Sequence, residues 1–163
     1  MTTGPSGPTG PAAAARAYAE DLAPGTEYRL GRLTLTEDDI VGFATQWDPQ
    51  PFHVDPAQRA HPRFTGVIAS GIQSLAVLQR LCVDAVYADW QVVAGRALTE
   101  VAFLRPVRAD TELTGVARVE AVTLDRPAMG LVRLGCTLTS APGEPFLTVI
   151  AETYVARRVP SPH

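Results

Sequence analysis

Residues 70–88 read SGIQSLAVLQRLCVDAVYA, and this stretch decides the fold. Its polar positions Gln73, Arg80 and Asp84 are seven and four residues apart, so they share one narrow stripe of a helix. Nearly all of the other positions are apolar. A helix that is apolar over most of its circumference is normally buried. We therefore predict a buried helix from Ser70 to about Ala88.

The segments around this helix show a different periodicity. Tyr28 to Leu35 alternates as a strand does, and Thr36 then begins a helix whose first turn is acidic. After the central helix the period becomes two, with turn residues at 125–127 and 141–143. The predicted later strands are one starting at Val92, Glu112–Val122, Leu131–Thr139 and Phe146–Arg157. This order predicts an α+β fold in which a curved antiparallel sheet wraps one long helix.

Length and composition indicate a single globular domain. The chain has 163 residues, of which 46% are apolar and 19% charged, which suits one domain better than two. Residues 1–23 are mostly small residues and proline, and we expect a flexible N-terminal tail there. The predicted domain covers residues 24–158, and residues 159–163 form a C-terminal tail.

Charge and hydropathy argue against several classes of protein. The net charge of −3 and the lack of a Lys/Arg run are unfavourable for binding nucleic acid or an anionic membrane. No apolar run approaches the roughly 20 residues of a membrane span, and the N-terminus lacks the layout of a secretory signal. We therefore expect a soluble, cytoplasmic protein. Cys82 and Cys136 lie within apolar patterns, so buried thiols are expected rather than a disulfide.

A second stretch, WDPQPFH at residues 47–53, carries the candidate chemistry. Pro49 and Pro51 fix their own φ angles and favour extended conformations in the residues before them. A stiff, non-helical loop is therefore expected to present Asp48 and His53. A carboxylate and an imidazole can hold one water molecule between them and transfer its proton, which a hydratase or dehydratase requires.

The beginning of the central helix supplies a third candidate group. Ser70-Gly71-Ile72-Gln73 matches a capping box, with Ser70 as N-cap and Gln73 at the third helical position. The amide of Gly71 would then remain free, at the positive end of the helix dipole, to stabilise an oxygen that gains negative charge. The alternative is that Gly71 only allows close packing of the helix.

These residues resemble a known family. Residues 47–55, WDPQPFHVD, followed by VIASG at 67–71, resemble the signature of MaoC-like dehydratases and (R)-specific enoyl-CoA hydratases. FLRPV at 103–107, followed by Asp110, resembles the family's later segment, and the resemblance spans about residues 27–157. It implies a hot-dog fold, usually paired as a homodimer. Gln50 stands where the family typically has Asn, Phe52 replaces an aliphatic residue, and Ser70 stands where hydratases often have His.

The resemblance also implies an activity. The expected reaction is reversible hydration of a 2-enoyl thioester, or dehydration of a 3-hydroxyacyl thioester, carried on CoA or on an acyl carrier protein. Asp48 would be the more favoured base, His53 would orient the water and shuttle the proton, and the Gly71 amide would bind the thioester oxygen. We expect no metal and no other cofactor, because neither His61 nor His163 shows metal-ligand spacing and no Gly-rich phosphate loop follows a strand.

Ser70, Phe52 and Arg105 are the candidate substrate-binding residues. Further candidate cations for a CoA diphosphate are Arg63, Arg108 and Arg126, and the alternative is that each of them is an ordinary surface arginine. Four other side chains belong either to the acyl pocket or to the core: Phe64, Ile72, Leu75 and Trp90. Two rival functions stay open: a hot-dog thioesterase, which would place a carboxylate on the central helix where this chain has only Asp84, and a non-catalytic acyl-binding subunit.

Overall fold

The computed structural model describes residues 15–58, 65–140 and 143–158. Its α-helices are α1 (Glu37–Trp47), α2 (Pro51–Val54) and α3 (Gly71–Ala85). Its strands are β1 (Glu27–Arg29), β2 (Leu33–Thr34), β3 (Val92–Phe103), β4 (Glu112–Thr123), β5 (Met129–Ser140) and β6 (Pro145–Ala156). Short 3-10 turns lie at Ala19–Asp21 and Tyr87–Asp89. The predictions for residues 1–14, His61, Arg63, Phe64 and 159–163 lie outside the described residues.

The described strands form one antiparallel sheet in the order β1-β4-β5-β6-β3. β2 follows β1 along the same edge of β4 and also pairs with that strand. The inner face of the sheet and the inner side of α3 share one core. Its fully buried strand residues include Leu113, Val119, Val132, Leu134, Leu138, Leu147 and Val155. This is the predicted hot-dog arrangement, a curved sheet wrapped around one long helix. None of the described helices is long and apolar enough to span a membrane.

The two thiols meet where helix and sheet pack together. Cys82 on α3 and Cys136 on β5 are both buried and both free. Their Sγ atoms are 3.8 Å apart. The prediction of buried thiols rather than a disulfide is confirmed.

Helix α3 differs from its prediction in two respects. Ser70 is its N-cap, as expected, because Ser70 Oγ accepts a hydrogen bond from the Ile72 N–H at 3.2 Å. The capping box is wrong, since the buried Gln73 side chain instead donates through Nε2 to the Asp39 carbonyl at 2.9 Å. Burial is also one-sided: Ile72 is 57% and Val83 40% exposed. The sheet therefore covers only the inner side of the helix.

The prediction of a flexible tail through residue 23 is wrong for residues 17–22. Ala17 forms a bridge with Trp90, and Ala19 and Leu22 are buried in the core. A Cβ built on Gly130 of β5 would lie 2.7 Å from the Ala19 Cβ. The glycine therefore leaves the space that Ala19 fills, which explains how a segment with few large apolar residues is held.

Two local predictions near α1 have mixed outcomes. Thr36 caps α1 as expected, and it forms a reciprocal capping box with Asp39. The predicted strand over Tyr28 to Leu35 is divided into β1 and β2, and Leu30, which lies between them, is buried in the core. The later strands fall within two residues of their predicted bounds.

A substitution at Gly115 of β4 tests how closely the sheet is packed. A Cβ at this position would lie 2.2 Å from the backbone oxygen of Thr137, and backbone cannot move aside cheaply. Gly115→Ala should therefore lower the free energy of unfolding by about 3 kcal/mol, at the upper end of overpacking costs. The matched control is Gly95→Ala on β3, where a Cβ meets nothing within 4 Å. Equal unfolding midpoints in urea for the two variants would contradict this packing.

Candidate active site

The segment that carries Asp48 and His53 is only partly the expected loop. Helix α1 ends at Trp47 with Asp48 as its C-cap, but Pro51–Val54 form a short helix that includes His53. The non-helical prediction for residues 47–53 is therefore wrong at Pro51, Phe52 and His53. Proline lacks an N–H and has a helix-compatible φ, so Pro51 is well suited to the first position of a helix.

His53 is buried and fixed in one orientation. Its Nδ1 lies 2.6 Å from the carbonyl oxygen of Ile68. Because a carbonyl can only accept, Nδ1 must carry the proton, which leaves Nε2 of the neutral ring as an acceptor. That Nε2 lies 3.5 Å from Oδ2 of Asp48. The Phe52 ring packs edge-on against the imidazole, with 4.4 Å between ring centroids.

Both oxygens of Asp48 accept a hydrogen bond. Ser70 Oγ donates to Oδ2 at 2.6 Å, and Gln50 Nε2 donates to Oδ1 at 2.8 Å. The Ser70 bond, then the Gln50 bond and the nearby His53, lower the pKa of Asp48, while partial burial opposes them. Asp48 is therefore an ionised carboxylate whose affinity for a proton is reduced.

Backbone hydrogen bonds hold the beginning of α3 close to Asp48 and His53. The Ile68 N–H donates to the Phe52 carbonyl at 3.3 Å, and the Ala69 N–H donates to the Val107 carbonyl at 2.8 Å. Ile68 also forms an antiparallel bridge with Arg108. The segment before α3 is therefore held between α2 and the chain that follows β3.

These segments line a cavity of about 430 Å³ that is open to solvent. Asp48, His53, Ser70 and Gly71 all line it. Its other lining residues are Gln50, Ile68, Ala69, Ile72, Ser74, Phe103, Leu104, Arg105, Pro106, Val107 and Phe146. The two candidate proton-transfer groups and the candidate amide donor therefore face one space.

Gly71 is the first residue of α3, where the helix provides no partner for an N–H. No described residue accepts a hydrogen bond from this amide. The Phe103 ring covers the Cα of Gly71, and a Cβ there would lie 2.9 to 3.1 Å from three ring atoms. Glycine is therefore the residue that leaves both the amide and the ring undisturbed.

The remaining predicted residues have different locations. Arg105 lines the cavity and forms an ion pair with Glu144. Phe52 contacts His53 but is not among the described residues lining the cavity. Trp90 belongs to the core, and the Arg126 guanidinium stacks on Tyr154. Ile72 lines the cavity, whereas Leu75 lines an adjoining apolar groove.

Sequence reasoning missed three contributors to the site. It treated Gln50 only as a departure from the family, gave Ser70 no contact with Asp48, and used Phe103 only as part of the FLRPV segment, with no contact to Gly71. An amide two residues after a candidate carboxylate, with a proline on each side, was a usable signal for Gln50. The Ser70–Asp48 and Phe103–Gly71 contacts join segments 22 and 32 positions apart, and no local pattern reports such contacts.

No group of three or more His, Cys, Asp or Glu side chains in the described part of the chain could hold a metal ion. The chemistry that the arrangement offers is proton transfer by the Asp48–His53 pair beside a free amide.

Comparison with known proteins identifies the family. Residues 20–139 match the model of the MaoC like domain. The protein YdeM of Bacillus subtilis (strain 168), itself uncharacterised, is 30% identical over 140 residues, which cover 86% of this chain and 89% of YdeM. The chain therefore belongs to the family of MaoC-like domain proteins.

Solved structures agree with this assignment. The crystal structure of a MaoC-like dehydratase from Rhodospirillum rubrum superposes with a TM-score of 0.79 at 31% identity, covering 87% of this chain and 98% of that one. The (R)-hydratase from A. caviae involved in PHA biosynthesis superposes with a TM-score of 0.67 at 23% identity, covering 86% and 99%. This second likeness shows the shared hot-dog fold.

Proposed function

We propose that the protein is a hydro-lyase that adds water reversibly to a 2-enoyl thioester. The observation that carries this proposal is the 3.5 Å separation of Asp48 Oδ2 and His53 Nε2 in a cavity that Gly71 also lines. Membership of the MaoC-like family supports it, as does the likeness to the R. rubrum dehydratase.

A water molecule is the natural ligand of this pair. With Nδ1 protonated, Nε2 is an acceptor, and Oδ2 keeps a second lone pair beside the one that accepts from Ser70. One water can donate an O–H to each of them, which turns its oxygen lone pairs toward a substrate. Proximity and orientation of this kind account for a large part of many catalysed additions.

The contacts favour a division of roles opposite to the sequence-based expectation. Asp48 has a lowered pKa because Ser70 and Gln50 donate to it, and this makes it a weak base. In the proposed reaction His53 Nε2 takes the water proton while the oxygen bonds to C3 of the enoyl group. Asp48 stays ionised and stabilises the imidazolium. The imidazolium then returns a proton to C2 on the same face, so that one water is added in total.

The Gly71 amide is the proposed donor to the thioester oxygen. Addition at C3 makes that oxygen enolate-like, and a free N–H at the beginning of α3 stabilises the negative charge. Ser70 is proposed to position Asp48, since it donates to the carboxylate and accepts from the Ile72 N–H of the same helix.

The substrate carrier is CoA or an acyl carrier protein in this proposal. Arg105 lines the cavity and is the candidate to contact a carrier phosphate. A phosphate would have to compete with Glu144 for its guanidinium.

We propose further that the chain acts as a homodimer. Strand β3 is an edge of the sheet, and several of its apolar residues are exposed, with Leu98 at 49% and Phe103 at 53%. Proteins rarely leave a long apolar edge strand uncovered. Two copies related by a two-fold axis can pair such edges.

The central test is Asp48→Asn. The amide keeps the shape of the side chain but removes the charge, so hydration of crotonyl-CoA should fall at least about a hundredfold. The measurement is loss of the ultraviolet absorbance of the conjugated enoyl thioester, with the unfolding midpoint as a check on folding. Near wild-type turnover would remove Asp48 from the mechanism. Release of free thiol from acyl-CoA by the wild type would instead favour the thioesterase.

The amide donor is tested by comparing two variants of Gly71. Gly71→Ala and Gly71→Pro both place a Cβ against Phe103, but only the proline removes the N–H. Proline should therefore lower kcat by a further factor of about 100, the cost of losing one such donor. Equal kcat in the two variants, with α3 intact by circular dichroism, would exclude the Gly71 amide.

The homodimer is tested by Leu98→Lys. A charge in the middle of the exposed edge should shift the protein to monomers in sedimentation velocity. Leu124→Lys, which changes an exposed leucine outside β3, is the matched control and should leave the association state unchanged. Dimers that persist in Leu98→Lys would place the interface elsewhere.

A further inference from the structure

Gln50 connects the two members of the proposed catalytic pair through its backbone. Its N–H donates to the Asp48 carbonyl at 2.7 Å, and its carbonyl accepts from the His53 N–H at 2.9 Å. Gln50 is also the N-cap of α2, between the two prolines. The backbones of Asp48 and His53 are therefore held at a fixed separation through one residue.

The Gln50 side chain acts on the same carboxylate. Because an ionised carboxylate only accepts, the amide nitrogen must be the atom 2.8 Å from Asp48 Oδ1. Ser70 occupies a lone pair of the other oxygen, Oδ2, which is the oxygen near His53. The terminal torsion of an aspartate is otherwise soft. Two donors, one on each oxygen, prevent the carboxylate from turning.

We propose that Gln50 is a positioning residue of this site, whose amide holds Asp48 with Oδ2 toward His53 and keeps Oδ1 out of proton transfer. This inference rests on the proposed hydration function. It gives the glutamine, which replaces the family's usual asparagine, a defined role: its side chain is long enough to reach back to the carboxylate two residues earlier.

Loss of the Gln50 hydrogen bond should change the pKa of Asp48 in one direction. The Gln50 bond is the second contribution, after that of Ser70, that lowers the pKa of Asp48. Removing it should raise this pKa toward or above its ordinary value, because partial burial is then less opposed. Among the residues that line the cavity with Asp48, the other titratable groups are His53 and Arg105, and Arg105 is paired with Glu144. The last turn of α1 carries no charged side chain.

Gln50→Met tests the proposal, since methionine is similar in length and has no amide. The ratio of variant to wild-type kcat should fall as the pH is lowered toward the ordinary aspartate pKa of about 4, by up to about tenfold if the pKa rises by one unit. KM for crotonyl-CoA should change little. A merely structural role would lower kcat by the same factor at every pH, and that result would overturn the proposal. Gln46→Met, at an exposed glutamine of α1, is the matched control and should follow the wild-type profile.

A readout that does not depend on turnover separates this inference from the proposed function. Carboxyl ¹³C resonances of aspartate can be titrated in the wild type and in Gln50→Met, with Asp48→Asn to assign the signal. The Asp48 resonance should titrate at higher pH in Gln50→Met. Such a shift without any hydration by the wild type would overturn the proposed function and uphold the contact. Hydration with an unmoved resonance and an unmoved pH profile would overturn the role of Gln50.

Discussion

The Ser70 hydroxyl is the contact on which the arrangement of the site depends. It donates to Asp48 at the end of α1 and accepts from the backbone at the start of α3. A hydroxyl can do both at once, and a bond to an ionised acceptor is stronger than one between neutral groups. Through this side chain α3 determines where the carboxylate lies. The same helix presents the Gly71 amide to the cavity. The proposed charge-stabilising amide and the carboxylate of the proposed dyad are therefore both positioned by α3.

The sequence predicted those parts of the fold that have a regular period. The α3 pattern and the three long strands β4 to β6 were recognisable because side-chain spacing of 3.6 or 2 reports directly on which face is buried. The start of α1 at Thr36 was recognisable from the acidic residues that follow it. The one-sided burial of α3 was not predictable in this way. Ile72 and Val83 are apolar whether the sheet or solvent lies next to them, so periodicity alone overstated how much of the helix is covered.

The site shows the same division between local and long-range information. Asp48, His53 and Gly71 were identified from short motifs, and they line one cavity. The helix at Pro51–Val54 was missed because two prolines were taken to exclude a helix, although the first helical position accepts one. The packing of Ala19 against Gly130 was missed because an alanine in a small-residue segment carries no hydrophobic pattern. Such contacts depend on a partner more than a hundred residues away.

Ion pairs join the two ends of the described domain. Arg157 forms an ion pair with Glu20, and Arg158 forms one with Asp21, both across more than 130 positions of the chain. Proteins whose ends lie side by side tolerate circular permutation, in which a short linker joins the old ends and new ends open in an exposed turn. The turn between β4 and β5 would suit new ends, since no residue of that turn lines the cavity with Asp48 and His53. New ends in that turn would leave the residues that line the cavity unchanged and would open the segment whose Leu124 and Arg126 carbonyls accept from Arg157.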